Sequence, residues 1–116
     1  MSKGGKYKVR VYFRWKKIKE NLASSDPKNW KKAVIGSENM LNDVLKMSGY
    51  LGSRLDEKKL DLLTPAQLSN LEEVKKAHGL WKKISGDPAA ELTQDQAEEI
   101  IGVYKKSFID LNLIEE

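Results

Sequence analysis

The chain has 116 residues, no cysteine and one histidine, His78. That length supports one domain with a real core, about two thirds of its surface being buried on folding. The cysteine count excludes disulfides, thiolate nucleophiles, zinc–cysteine sites and iron–sulfur clusters, and a single imidazole excludes a histidine-rich metal centre or a two-histidine mechanism within one chain. With 40% hydrophobic and 33% charged residues, the composition fits a highly charged globular protein rather than a disordered one. No apolar run approaches the ~18 residues of a membrane span and no signal peptide is visible, so the expected location is the cytoplasm.

Charge is distributed unevenly. Residues 1–32 hold eleven Lys and Arg against Glu20 and Asp26, a segment charge of +9, and the rest of the chain is −5. The pI near 9.2 therefore describes a basic arm on an acidic body. Such an arm suits phosphate, anionic headgroups or an acidic partner, and it equally suits a solvated helix face.

Residues 1–6 are small, polar and Gly-rich and read as a flexible leader ahead of one domain over 7–114. Tyr7, Val9 and Val11 alternate, which allows a short extended entry. Val11, Trp15, Ile18 and Leu22 step by four, three and four, one face of a helix. Ser24-Ser25-Asp26-Pro27 is a break and restart: Ser25 or Asp26 suits the cap and Pro27 the first helical position. The helix it opens carries Trp30, Ala33, Val34, Met40, Leu41, Val44 and Leu45 on one side and is expected to end at Ser48-Gly49. Tyr50 to Ser53 reads as a loop, and Leu55, Leu60, Leu62 and Leu63 mark a short helix or turn.

Thr64-Pro65-Ala66-Gln67 has the form of a capping box and predicts a helix with Leu68, Leu71, Val74, His78, Trp81 and Ile84 inward. A second box, Thr93 to Gln96, predicts a last helix with Ala97, Ile100, Ile101, Tyr104 and Phe108 inward and a tail, Leu111 to Ile114, folding back. Four substantial helices with short connections argue for an all-α, up-and-down bundle of four to five helices.

The candidate chemistries fail on spacing. Gly49-Tyr50-Leu51-Gly52 lacks the Gly-Lys-Ser/Thr of a phosphate loop. Glu72/Glu73 and Glu98/Glu99 are sequence neighbours, and adjacent helical residues diverge by about 100°. No Glu-x-x-His pairs are available for a di-metal bundle, so no metal and no cofactor is expected. His78 shares a face with Val74 and Trp81 and reads as a packed residue with one hydrogen bond before it reads as a catalyst. Trp15, Trp30 and Trp81 fall at core spacing.

The run Asp26-Pro27-Lys28-Asn29-Trp30-Lys31-Lys32-Ala33-Val34-Ile35, then Leu41 to Leu45 and Gly49-Tyr50, and later Ala77-His78-Gly79-Leu80-Trp81-Lys82-Lys83-Ile84-Ser85-Gly86-Asp87-Pro88 with Glu91-Leu92-Thr93, Ala97, Ile101 and Tyr104, resembles a group of small bacterial helical proteins similar to HEPN domains (higher eukaryotes and prokaryotes nucleotide-binding). The resemblance extends over roughly residues 15–113 and rests on order and spacing rather than on one motif. It implies a four- or five-helix bundle, often dimeric, whose active members are metal-independent ribonucleases. Their motif is an Arg, a polar residue, three others and a His at the end of the penultimate long helix. The matching positions here are Trp81, Lys82 and Gly86. Glycine supplies no proton donor or acceptor, and tryptophan no charge for a phosphorane-like transition state. The resemblance thus implies a catalytically silent member. Some relatives carry a membrane span ahead of the bundle; were this chain trimmed from a longer one, Tyr7, Tyr12, Phe13 and the basic cluster would lie near the membrane surface.

The favoured expectation is a non-enzymatic helical module for protein interaction, as a homodimer or with another protein. The first alternative is RNA binding through Lys6, Lys8, Arg10, Arg14, Lys16 and Lys17, with Lys82 and Lys83 touching phosphate. The second is a ribonuclease acting through an unrecognised site, with His78 as the obvious general base.

Overall fold

The computed structural model describes residues 3–47 and 60–115, with side chains from Val11 to Lys46 and from Leu60 to Glu115. Four helices dominate: α1 (Lys3–Ala23), α2 (Pro27–Met47), α3 (Leu71–Ser85) and α4 (Gln94–Asp110). Leu60 and Asp61 are also helical, and no strand occurs among the described residues. No helix among them is long and apolar enough to cross a membrane.

Contacts fix the helix directions. The short link at residues 24–26 returns α2 along α1, bringing Gly36 against Ile18 and Asp43 to Arg14. Helix α4 runs antiparallel to α1, since Phe108 meets Trp15 and Gln94 reaches the Leu22 carbonyl. It runs parallel to α2, with Trp30 beside Leu92 and Glu38 beside Tyr104. It runs antiparallel to α3, with Asn70 joined to Ser107 and Ala77 facing Ile100. The result is an alternating up-and-down bundle in which the last helix touches all three others. Its core includes Val11, Trp15, Val34, Met40, Leu41, Val74, Ile100, Tyr104 and Phe108.

Helix α1 begins at Lys3, so residues 3–6 are helical, and Tyr7 to Val11 is helix rather than extended chain. The apolar face that starts at Val11 recruits the preceding turns, overriding the local alternation. At the next boundary Asp26 is the cap: Lys28 N–H donates to its carboxylate at 3.0 Å, and Pro27 occupies the first helical position. The Ser24 hydroxyl accepts from the Asp26 N–H and from the Asn29 side chain, and the Trp30 indole donates to the Ser24 carbonyl at 2.6 Å. Gly49, the loop from Tyr50 to Ser53 and Leu55 lie outside the described residues. Leu60 and Leu63 are buried, whereas Leu62 is exposed.

The Thr64 box does not open a helix. The Gln67 side chain does accept from the Thr64 N–H at 2.8 Å, and the Gln67 N–H donates to the Thr64 carbonyl, closing a turn. The chain then leaves the helical path at Leu68 to Asn70, and α3 starts at Leu71. Asn70, its cap residue, uses its side chain elsewhere: the amide donates to the Val103 carbonyl at 2.9 Å and its oxygen accepts from the Ser107 hydroxyl at 2.8 Å. Ser69 donates to Asp110. These bonds clamp the start of α3 to the end of α4, and they replace the turn of helix that the box would have continued.

The Thr93 box is complete, with Gln96 N–H donating to the Thr93 hydroxyl at 3.1 Å and Thr93 N–H to the Gln96 side chain at 3.0 Å. At the far end Asn112 adopts φ 60°. Leu113 N–H reaches the Phe108 carbonyl and Asn112 N–H the Ile109 carbonyl, both at 2.9 Å, the two bonds of a Schellman cap. This cap turns Leu113 and Ile114 back onto the core, as the tail's apolar residues led one to expect.

Candidate functional site

The charged residues singled out from sequence fall into three groups. Lys6, Lys8 and Arg10 lie on α1 before the side chains are described. Arg14 turns inward along the bundle: its guanidinium pairs with Asp43 of α2 at 2.8 Å and serves as a tie between the first two helices. Lys16 and Lys17 are exposed on α1, and Lys82 and Lys83 are exposed in the last turn of α3, where a cation is favourable against the helix dipole. The two lysine pairs thus sit on different helices, each packed on α4.

The positions matching the ribonuclease motif are occupied structurally. Trp81 is half-buried against the core. Gly86 is the C-cap of α3, and its N–H donates to the Lys82 carbonyl at 3.0 Å. A Cβ at position 86 would stand 3.1 Å from that same carbonyl, so any side chain there crowds backbone.

His78 is tied into the core. It is 7% exposed, and its Nδ1 donates to one oxygen of Glu38 at 2.9 Å. The hydroxyl of the fully buried Tyr104 donates to the same oxygen at 2.8 Å. Burial, and then the neighbouring Glu38 charge and hydrogen bond, push the Tyr104 phenol far above its ordinary range, so it stays a neutral donor. One carboxylate from α2 thereby holds a side chain from α3 and one from α4. A general base must reach a proton on a substrate, and this constellation is enclosed by packing. Sequence reading placed His78 and Tyr104 inward but passed over Glu38. The available signal was a tyrosine on an otherwise apolar face, whose hydroxyl required a partner.

The surface holds the other feature. Tyr12 and Phe13 are 65% and 60% exposed, and their rings meet edge to face at 5.7 Å. Lys16 and Lys17 follow each of them by four residues, one helical turn on. The remaining described aromatic residues are buried or half-buried. Beside Tyr12 runs a groove of about 620 Å³ between α1 and the capped tail, which meets a second section of about 420 Å³ between α1 and α4. Among the described residues, no cluster of three or more His, Asp or Glu side chains is arranged to hold a metal ion. In comparisons with known proteins, no family model, curated protein or solved structure matches the chain.

Proposed function

We propose that the chain is a non-catalytic helical interaction module, similar in architecture to HEPN domains, that self-associates in the cytoplasm through the outer face of α1. The observation that carries this reading is the adjacent exposure of Tyr12 and Phe13 on a bundle whose other described aromatics are packed away. Two neighbouring aromatic rings left in water favour burial against a partner, and such residues anchor interfaces. The motif positions speak against nuclease chemistry, because Trp81 and Gly86 supply neither charge nor proton transfer.

The second reading, RNA binding, is favoured by one detail: each exposed ring has a lysine one turn away, a pairing that suits stacked bases and their phosphates. Light scattering separates the two. The protein is expected to have the mass of a dimer at both ~50 and ~300 mM salt, and to ignore a short mixed-sequence RNA. The combined variant Tyr12→Ser/Phe13→Ser should be monomeric with its helical circular dichroism retained. A monomer that gains mass with RNA only at low salt would replace the first reading with the second.

A further inference from the structure

We propose that the second copy lies antiparallel along α1, with the two-fold axis beside Ile18; this rests on the self-association reading and adds the orientation and the pairs that fix it. Val11, Trp15, Ile18 and Leu22 turn one side of α1 to the core. At about 100° per residue, the direction opposite them falls on Phe13 and Glu20, with Lys16 and Lys17 on the two flanks. All four are exposed, and the Tyr12 ring braces that of Phe13 from the side at 5.7 Å. Lys16, Lys17 and Glu20 form no ion pair among the described residues.

The order of charges decides how such a face can meet itself. Most homodimers are two-fold, so each patch must complement its own copy. Parallel copies would set Lys16 against Lys16 and Glu20 against Glu20. They would also align the first half of α1, which holds Lys3, Lys6, Lys8 and Arg10 and no acidic residue. Like charges set against each other are costly across an interface.

Reversal about Ile18 removes both conflicts. Lys16 and Glu20 each stand two positions from the axis, so the Lys16 of each copy comes level with the partner's Glu20. Both residues lie toward one flank of α1, and a two-fold axis across the helices sets that flank against itself. Lys17 comes level with Lys19, but those two point to opposite flanks and do not meet. Phe13 reaches the turn that ends at Ala23, an exposed small residue on which a ring can lie. The two basic first halves are carried apart, each past the far end of the partner's α1, where Glu98 of α4 stands beside Ala23. The contact from Phe13 to Ala23 covers roughly 15 Å of each helix. Aromatic burial supplies its attraction, and the charges supply its direction.

The chain has no cysteine, so Ser25→Cys, exposed just past the end of α1, takes a single spin label. In the reversed arrangement the two labels should stand roughly 20–30 Å apart, and in a parallel one under about 15 Å, distances that pulsed dipolar spectroscopy separates. Lys16→Glu and Glu20→Lys should each weaken self-association about three- to tenfold at ~50 mM salt, and an equimolar mixture of the two should recover the wild-type affinity. Recovery in the mixture requires pairing between copies, since repair within one helix needs both changes in one chain. Helical circular dichroism retained in each variant keeps unfolding out of the comparison. A short label distance, or a mixture that binds no tighter than its components, would overturn the orientation while leaving the dimer in place. A label distance beyond about 40 Å would put the contact on another face and overturn the α1 interface as well. A wild-type protein that stays monomeric at both salts would sink the self-association on which this rests.

Discussion

Glu38 is the residue on which three helices depend. Its carboxylate takes a proton donor from His78 and another from Tyr104, and neither donor is well exposed to water. Removing it strands both, and an unsatisfied buried donor costs about 1–3 kcal/mol. Glu38→Ala is therefore expected to destabilise by about 2–4 kcal/mol in urea titration, and Tyr104→Phe, which strands nothing, by about 1 kcal/mol. The phenol also sets an alkaline limit. Its folded pKa is raised, so the unfolded chain loses this proton near pH 10 while the native chain keeps it. Stability from this group is complete below that pH and falls as pH rises further. Tyr104→Phe should flatten the fall, seen as a smaller change in urea midpoint between pH 9 and pH 11. The inward placement of His78 and Tyr104 was legible, because three- and four-residue spacing fixes a face. Their meeting on Glu38 was not, because the partners lie 40 and 66 residues away and helical spacing carries no information across such distances.

The two Thr-x-x-Gln boxes show what decides an element. Both make the side-chain bond from Gln back to the Thr N–H, at 2.8 Å for Thr64 and 3.0 Å for Thr93. Thr93 is followed by Ala97, Glu98, Glu99 and Ile100, good helix formers with a buried stripe. Thr64 is followed by Ser69 and Asn70, which gain more from bonds to α4 than from continuing a helix. A cap motif thus announces a turn, and the residues beyond it determine whether a helix follows. The far end of α4 was legible only as an apolar tail, since the left-handed residue that folds it back is an asparagine rather than the usual glycine. Asn112→Gly should leave the thermal midpoint unchanged or slightly higher. Asn112→Ala should cost about 1 kcal/mol, because an L side chain without a local hydrogen bond resists that conformation. Hydrogen exchange at the Leu113 amide, bonded to the Phe108 carbonyl, should quicken in the alanine variant while the α2 amides stay protected.

At the scale of the molecule, the all-helical character and the alternating directions were readable from periodicity, caps and short links. The inward side of α1 was readable too, from the steps of Val11, Trp15, Ile18 and Leu22, which leave Tyr12 and Phe13 off that face. That their two rings meet each other in the open was not, because spacing places a residue on a face without saying what it touches. The centre of the bundle was equally hidden: α2 and α4 each touch all three other described helices, and α4 is the last of the four in the chain. That order has a consequence on the ribosome. Helices α1 to α3 emerge with apolar stripes that cannot close over a core until Ile100, Tyr104 and Phe108 have been made. Nascent chains stalled at increasing lengths should stay protease-sensitive until residue 108 has cleared the exit tunnel, and then become resistant in one step. A nascent chain resistant once α2 alone is out would mean that the first hairpin is self-sufficient. In the expected case, most of the polypeptide waits uncovered for its final seventeen-residue helix, and that interval is when a holding chaperone has something to hold.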